Sequence, residues 1–205
     1  VMEYINNEAK VASVELAKIR GTFPNFEHSV YNNGEPENGV RNATRTTIAP
    51  TGSISIIANC SSGIEPLFAI SYLRKTPQFE LLEINPLFEE IARREDFYTE
   101  DLMKKIAKRG SIQDVEEIPE QVRKVFVTAM DLKPETHVKI QAAFQKHVDN
   151  AVSKTINFSQ DTAKEDVERA FLMAYESGCK GITVYRDKSR MSQALSLECI
   201  CEEVL

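Results

Sequence analysis

Residues 45–67, RTTIAPTGSISIIANCSSGIEPL, constrain the fold of this chain more than any other stretch. The β-branched run Thr46, Thr47, Ile48 predicts a strand. Pro50 and Gly52 then predict a turn, and residues 53–58 predict a helix that opens on a serine. A strand, a glycine turn and a helix start together form an architecture that binds phosphate. The first N–H groups of such a helix point outward, and its dipole favours an anion.

The hydroxyl groups of Thr51, Ser53 and Ser55 add uncharged hydrogen-bond donors to this segment. An ordinary interpretation also fits the same letters: Ser53 as a helix N-cap and Gly52 as a turn residue. No Walker-type lysine follows the glycine. The local pattern therefore predicts a phosphate without identifying the molecule that carries it.

The rest of the chain predicts an α/β organisation. Residues 1–20 form an amphipathic helical pattern that ends at Gly21, and residues 22–45 have a loop composition. Residues 67–73 are apolar enough for a second buried strand, and helices are predicted over 85–94, 99–108, 119–129 and 134–150. The last third alternates a strand at 155–158, a helix with a Thr162/Glu165 capping box, and a strand at 181–185. Such alternation indicates a parallel crossover.

Composition narrows the class of protein. The chain has 205 residues, 42% of them hydrophobic, enough for a real core in one domain or a large part of one. Its net charge of −6 argues against nonspecific nucleic-acid binding, and no apolar run approaches a membrane span. The 4 cysteines form no disulfide framework, which favours a reducing cytoplasm. The chain starts at Val1 inside a helical pattern, so we expect a fragment, a separately encoded segment or a processed piece.

Four collinear stretches carry a resemblance to ribonucleotide reductases, closest to the adenosylcobalamin-dependent (class II) type. The central one is APTGSISIIANCSSGIEPLFA, which resembles the substrate-phosphate segment of that family. The others are similar to the preceding helix and turn, the long middle stretch, and the closing helix, strand and loop, at residues 1–26, 109–158 and 166–190. Together they cover nearly all of the chain as far as about Leu197.

The resemblance implies that residues 1–197 form the C-terminal segment of a catalytic α/β barrel, with 198–205 as a tail. Within it we expect a phosphate-binding segment (45–67), a helical insertion or outer layer (85–150) and a closing strand–helix–strand unit (154–186). The substrate phosphates would lie on Pro50, Thr51, Gly52, Ser53, Ile54 and Ser55. Thr51, Ser53 and Ser55 would donate hydroxyls, and Gly52, Ser53 and Ile54 backbone N–H groups. Glu65 and Tyr185 are candidates for a supporting layer.

The radical chemistry of the family is not carried by this chain. The family's Asn-x-Cys-x-Glu loop does not occur, since Asn59-Cys60 is followed by two serines. We therefore expect no catalytic residue here and an inactive chain by itself. Cys60 and Cys179 are predicted to be packed thiols. The tail pair Cys199 and Cys201 has no further ligands nearby for a metal; it echoes, without matching well, the mobile cysteine pair of longer family members.

The three histidines show no metal-ligand spacing and are predicted on the surface or on a helix face: His28, His137 and His147. Tyr185, at the end of a predicted strand, follows Val184 and so departs from the paired tyrosines of iron-dependent reductases. That departure favours adenosylcobalamin as the cofactor. The resemblance implies a ribonucleoside diphosphate substrate and the remaining N-terminal part of the reductase as a partner. It leaves open whether the full enzyme is a homodimer.

Two alternatives remain beside the cobalamin-dependent reductase segment. One is a noncatalytic nucleotide- or phosphate-binding module that keeps the phosphate turn without the radical loop. A module of this kind should bury the surface left by the missing strands, whereas a fragment should expose apolar edges. The other is the same segment from an iron-dependent reductase, against which Val184 argues.

Overall fold

The computed structural model describes residues 1–35, 39–75, 80–187 and 189. Its helices are α1 (Met2–Arg20), α2 (Gly52–Ala58), α3 (Pro86–Arg94), α4 (Glu100–Arg109), α5 (Glu120–Val125), α6 (Pro134–Gln145) and α7 (Lys164–Glu176). Its strands are β1 (Ser71–Lys75), β2 (Glu80–Ile84), β3 (Thr155–Phe158) and β4 (Thr183–Arg186). Short 3₁₀ turns at Phe26–His28 and Ala129–Asp131 complete the list. No helix in these ranges is long and apolar enough to cross a membrane.

The strands form two small sheets. β1 and β2 pair antiparallel, with Ser71 opposite Ile84. β3 and β4 pair parallel, with Thr155 opposite Thr183, and α7 connects them. This confirms the predicted parallel crossover in the last third of the chain. The mixed α/β class is therefore confirmed, but the described strands do not close into a barrel.

A first core lies between the β1–β2 hairpin and the helices that follow it. Asn85 caps α3 by accepting the Phe88 N–H at 3.1 Å, and Thr99 caps α4 by accepting the Leu102 N–H at the same 3.1 Å. Each cap fixes the helix so that its apolar stripe faces inward. The fully buried members of this core are Ile70, Phe88, Ala92, Met103, Ile106, Ile112 and Ile118.

A second, smaller core supports the parallel pair. Ile156 and Phe158 of β3 pack with Val138 of α6 and with Ala170 and Ala174 of α7. Cys179 and Ile182 are half-buried against its edge. Ile156 and Phe158 are two positions apart, so they lie on the same face of β3, and that face packs against the helices.

α1 follows its predicted bounds but not its predicted burial. Gly21 ends it with a φ of 75°, as expected of a C-terminal glycine. Of the predicted apolar face, Ile5, Leu16 and Ile19 are exposed, and the only buried residue of the helix is Ser13. Ser13 holds the helix to the following loop instead, through the Asn42 N–H at 3.1 Å.

Several predicted boundaries were wrong. The strand over 46–48 reduces to one parallel bridge between Ile48 and Val152. The strand over 67–73 begins only at Ser71, because Leu67 bridges to Thr128 before the hairpin starts. The helices predicted over 119–129 and 134–150 end earlier, at Val125 and Gln145.

The predicted capping box of α7 does not form. The N-cap is Ala163, without a side-chain cap, and the Thr162 hydroxyl lies 3.1 Å from that of Ser159 instead. A hydroxyl that bonds back into its own loop is a common competitor of helix capping.

Candidate phosphate-binding site

The turn into α2 presents unpaired backbone donors. Thr51 takes a left-handed conformation (φ 53°, ψ 25°) and starts the helix. The Ser55 N–H makes the first helical bond, to the Thr51 carbonyl at 2.9 Å. The N–H groups of Gly52, Ser53 and Ile54 precede that bond, so the helix itself leaves them without a partner. These are the three N–H groups that the sequence analysis predicts for the phosphates.

The hydroxyls of this turn differ in availability. Ser53 is exposed and Thr51 half-buried, so both can reach a ligand. Ser55 is buried, and its hydroxyl donates to the Gly52 carbonyl at 2.7 Å. Its oxygen also lies 2.7 Å from the Ser62 hydroxyl, which must therefore act as the donor in that pair. Ser55 thus ties α2 to the next loop.

Two glycines of this region have different roles. A Cβ on Gly52 would meet no atom within 4 Å, so the space beside it is open. Gly63 has a φ of +50°, and a Cβ there would lie 3.1 Å from the Ala49 carbonyl oxygen. The backbone before and after α2 therefore approaches closely only because residue 63 is glycine. Sequence reasoning singled out Gly52 and missed Gly63.

Glu65 is bound on both of its carboxylate oxygens. Oε1 accepts the backbone N–H of Thr155, at the start of β3, at 2.5 Å. Oε2 accepts from the Lys154 ammonium, also at 2.5 Å. The side chain of Lys154 is fully buried and that of Glu65 is 23% exposed. Glu65 therefore bonds to β3, at a backbone N–H far along the chain from the phosphate turn.

His137 completes this cluster from α6. Its Nδ1 lies 2.8 Å from the Lys154 ammonium and its Nε2 lies 2.9 Å from the Ala129 carbonyl oxygen. An ammonium can only donate and a carbonyl can only accept, so Nδ1 is the bare nitrogen and Nε2 carries the proton. Burial, with the nearby ammonium of Lys154, lowers the pKa of His137. His137 was predicted on the surface or on a helix face: it lies on a face of α6, but that face is buried, so the surface alternative was wrong.

We call these three side chains the Glu65–Lys154–His137 network. The third donor of Lys154 bonds to the Thr155 carbonyl at 2.6 Å, so all three ammonium hydrogens have acceptors. Burial lowers the pKa of Lys154, and the bond to Glu65 opposes that shift. Sequence reasoning missed Lys154. The signal available was a lysine placed directly before the apolar strand β3, where a lone cation needs a partner.

A second ionic contact holds the segment before the turn. Arg45 forms a two-pronged pair with Asp149, with Nε–Oδ2 at 2.8 Å and Nη2–Oδ1 at 2.9 Å. The Asp149 N–H donates to the Thr46 hydroxyl at 3.0 Å. Hydrogen bonding to Arg45 lowers the pKa of Asp149. The segment before the phosphate turn is thus bound at two residues to Asp149, about a hundred positions away.

The remaining predicted residues lie as follows. Tyr185 is half-buried on β4, paired in register with Asn157 of β3. It therefore lies one strand away from the β3 backbone that Glu65 binds.

Cys179 is half-buried and burial raises its pKa, in agreement with a packed thiol. Cys60 is exposed, so the prediction of a packed thiol there was wrong. The chain leaves α2 through Asn59 in a left-handed turn, and Cys60 follows this turn at the surface. Cys199 and Cys201 lie outside the described residues.

Comparison with known proteins gives a consistent family. The ribonucleotide reductase barrel-domain model matches residues 1–185. A vitamin B12-dependent ribonucleoside-diphosphate reductase of Thermoplasma acidophilum is 50% identical over 199 residues, 96% of this chain and 25% of the relative. One of the same name from Mycobacterium tuberculosis is 43% identical over 196 residues, 96% of this chain and 28% of the relative.

A solved structure agrees in fold. The class Id ribonucleotide reductase alpha subunit of Actinobacillus ureae superposes with a TM-score of 0.72 at 27% identity, over 91% of this chain and 33% of that subunit. This chain spans about a quarter of the length of the curated relatives named above. The family match, the identity of the relatives and the shared fold lead to one conclusion: this chain belongs to the ribonucleotide reductase barrel-domain family.

Proposed function

We propose that this chain is the C-terminal segment of the catalytic barrel of an adenosylcobalamin-dependent ribonucleoside-diphosphate reductase. In this role it supplies the cradle for the substrate phosphates. The observation that carries the proposal is the turn into α2, where three helix-start N–H groups meet open space beside Gly52. The enzyme as a whole would replace the ribose 2′-hydroxyl by hydrogen, making deoxyribonucleotides for DNA synthesis.

The physical chemistry of the turn suits a phosphate. Helix-start N–H groups and the positive end of the helix dipole attract an anion without placing a fixed charge there. The exposed hydroxyl of Ser53 and the half-buried hydroxyl of Thr51 add donors. Ser55, by contrast, uses its hydroxyl within the protein. We therefore assign Ser55 to holding the turn, and Thr51, Gly52, Ser53 and Ile54 to direct contact, with Pro50 leading into it.

The relatives' names support the cobalamin-dependent class over the iron-dependent one. In the cobalamin-dependent class, adenosylcobalamin supplies the radical. Among the described residues, three buried polar side-chain atoms have no hydrogen-bond partner, on Asn6, Arg45 and Gln141. None of these belongs to the phosphate turn, to β3 or to β4, so no unpartnered polar group in those elements indicates a contact to the cofactor. We assign no residue of this chain to it and derive no step through it.

We further propose the domain limits of the sequence analysis: a barrel segment over 1–197 with the phosphate segment 45–67, the helical block 85–150, the closing unit 154–186 and a tail at 198–205. The partner is the N-terminal part of the reductase, and the substrate a ribonucleoside diphosphate. A cytoplasmic location and a homodimer of the whole enzyme belong to the same proposal.

The competing noncatalytic module is less well supported. Three isoleucines of α2 are largely exposed: Ile54 at 62%, Ile56 at 77% and Ile57 at 83%. Adjacent exposed apolar side chains of this kind mark an interaction surface more often than a finished exterior. A module that works alone should bury or replace them. A barrel segment should cover them with its other part.

A chimera tests the proposal. The quarter of the Thermoplasma acidophilum reductase that aligns with this chain is replaced by this chain, and deoxycytidine diphosphate is counted with CDP, adenosylcobalamin and a dithiol. We expect product from the chimera and none when the aligned quarter is deleted. A folded chimera without product, together with CDP binding by this chain alone, would favour the module.

Gly52→Val tests the cradle itself. The added side chain meets no protein atom nearby, so the fold should persist while the phosphates lose access to the backbone. We expect CDP affinity to fall by about tenfold or more, as when a ligand's charged group is sterically excluded. Gly181→Val is the matched control, since a Cβ there also meets open space, away from the turn. Equal affinity in the two variants would reject the cradle.

A further inference from the structure

A continuous series of hydrogen bonds connects β3 to the phosphate turn. Glu65 accepts the Thr155 N–H and the Lys154 ammonium, both at 2.5 Å. The backbone N–H of Glu65 then donates to the Ser62 carbonyl at 2.8 Å. Ser62 reaches into α2 through its hydroxyl, 2.7 Å from that of Ser55. The helix start that carries the predicted phosphate donors is thus linked through Glu65 to β3, which begins 90 positions after Glu65.

The geometry points to a positioning role: we propose that the Glu65–Lys154–His137 network holds the phosphate turn at a fixed distance from β3, and that Lys154 is its central positioning residue. The inference rests on the proposed function, which it deepens. None of the three side chains is proposed to contact the substrate. Their effect reaches the substrate through Ser62 and Ser55.

The arrangement is suited to fixing a position. A buried ion pair often contributes little net stability, because desolvation of both charges offsets their attraction. It does require partners in definite directions. Lys154 uses all three of its hydrogens, toward Glu65, His137 and the Thr155 carbonyl. Moving the loop that carries Glu65 would leave a fully buried ammonium short of an acceptor, which is strongly unfavourable.

The loop between α2 and Glu65 transmits the constraint because it is tight. Gly63 has a left-handed φ of +50°, and the position that a Cβ would occupy there lies 3.1 Å from the Ala49 carbonyl oxygen. Ser55 is buried and bound at both ends of its hydroxyl. The loop between the network and the first turn of α2 therefore has little conformational freedom. A turn that is already fixed loses less conformational freedom when it binds a phosphate, so its position affects substrate affinity.

Amide hydrogen exchange of the complete chain tests the positioning without any catalysis. Glu65→Gln keeps the shape of the side chain but replaces one carboxylate oxygen by an amide NH₂ group. That group cannot accept a hydrogen bond, and it would face a donor, either the Thr155 N–H or the Lys154 ammonium. We expect the hydrogen-bonded amides of residues 55–58 to exchange about tenfold faster, while amides outside α2, the Glu65 loop and the start of β3 keep their exchange rates. Glu117→Gln is the matched control: it alters the exposed pair of Glu117 with Lys105, where both side chains are at least 40% exposed.

The chimera described above tests the consequence for substrate. In it, Glu65→Gln should raise KM for CDP about tenfold with kcat within about twofold, because binding geometry is loosened before the chemical step. Glu117→Gln should match the parent. If Glu65→Gln fails to fold, Ser62→Ala serves instead. This variant removes the hydrogen bond to Ser55 without disturbing a buried charge. It should raise the amide exchange rate of α2 and the KM for CDP, each by a smaller factor than Glu65→Gln does.

The outcomes separate the two proposals. Faster exchange in an inactive parent chimera would reject the reductase function and retain the positioning. An active parent with unchanged exchange and unchanged KM in both Glu65→Gln and Ser62→Ala would overturn the positioning. Faster exchange with an unchanged KM would also overturn it, since the turn would then move without consequence for the substrate.

Discussion

The helical block around α3 and α4 and the turn that leads into α2 are held by different kinds of contact. In the block, Phe88, Met103 and Ile106 are fully excluded from water, and Phe88 meets Phe126 edge-to-face at 5.2 Å between ring centroids. At the turn, the isoleucines of α2 are exposed, and position is set by Glu65, Ser62 and Ser55 through hydrogen bonds.

The comparison teaches what each kind of contact provides. Apolar burial is non-directional, so it gives free energy of unfolding but tolerates small rearrangements. Hydrogen bonds with a buried ammonium demand particular directions, so they fix geometry at a high desolvation cost. A segment that must present N–H groups to a ligand needs the second kind of contact more than the first.

The largest effect should come from emptying the apolar block. Phe88→Ala removes a fully buried ring from the centre of the first core, and we expect it to lower the free energy of unfolding by about 4 kcal/mol. Denaturant unfolding of the chain measures this. Leu87→Ala, at a neighbouring side chain that is 66% exposed, should cost less than about 0.5 kcal/mol. Similar losses in both variants would contradict a core centred on Phe88.

Removing the buried ammonium of Lys154 should give the second-largest loss of unfolding free energy. Lys154→Met leaves Glu65 and His137 without their shared partner, and we expect a loss of about 3 kcal/mol in unfolding free energy. The double variant Lys154→Met with Glu65→Met should recover much of that stability, while CDP binding stays weak. This separation of stability from binding would sharpen the contrast with the apolar block. Recovery of both would count against a positioning role.

A control for this charge effect is available on the surface. Lys105→Met disrupts a pair with Glu117 of the same 2.5 Å length, but between exposed side chains. Exposed ion pairs contribute little, so we expect a change far smaller than that of Lys154→Met. A loss equal to that of Lys154→Met would show that burial is not the source of the effect.

A smaller effect is expected at Gly63. Gly63→Ala forces a Cβ into a left-handed backbone at 3.1 Å from the Ala49 carbonyl, which should cost about 1–2 kcal/mol. Gly34→Ala shares the positive φ, at +83°, but meets no atom within 4 Å. The difference between the two in thermal unfolding isolates the close approach beside the phosphate turn. No difference would mean that the backbone contact does not constrain the turn.

The smallest expected effect is on pH dependence. His137 has a lowered pKa in the folded state, so the unfolded state binds more protons below the ordinary histidine pKa of about 6.5. Stability from neutral His137 is therefore complete above about pH 6.5 and declines as pH falls below it, at no more than about 1.4 kcal/mol per pH unit. Urea unfolding between pH 5 and 7.5 (about the range in which histidine titrates) should show this slope, and His137→Gln should reduce it. An unchanged slope would mean that other groups cause it.

Local signals account for what could be predicted. Asn85 and Thr99 as caps, and Gly21 and Gly110 as stops, set the helix ends where the sequence places them. The strand β3 has its predicted bounds for the same reason, since a short run of β-branched and aromatic residues is informative by itself. The predicted boundaries failed where a contact with a distant segment set the start of an element. Ser71, rather than Leu67, begins β1 because Leu67 bridges to Thr128.

The sequence by itself predicted the turn that leads into α2 and the family, because the signals for both lie in contiguous residues. Only the tertiary structure decided that Glu65 meets Lys154, 89 positions away, and that His137 faces them from α6. Burial and the directions of hydrogen bonds depend on which elements pack together, and a single sequence does not display that packing. The same reason explains why the apolar face predicted for α1 is exposed here, and why Lys154, which sequence reasoning missed, is the most deeply buried charge of the network.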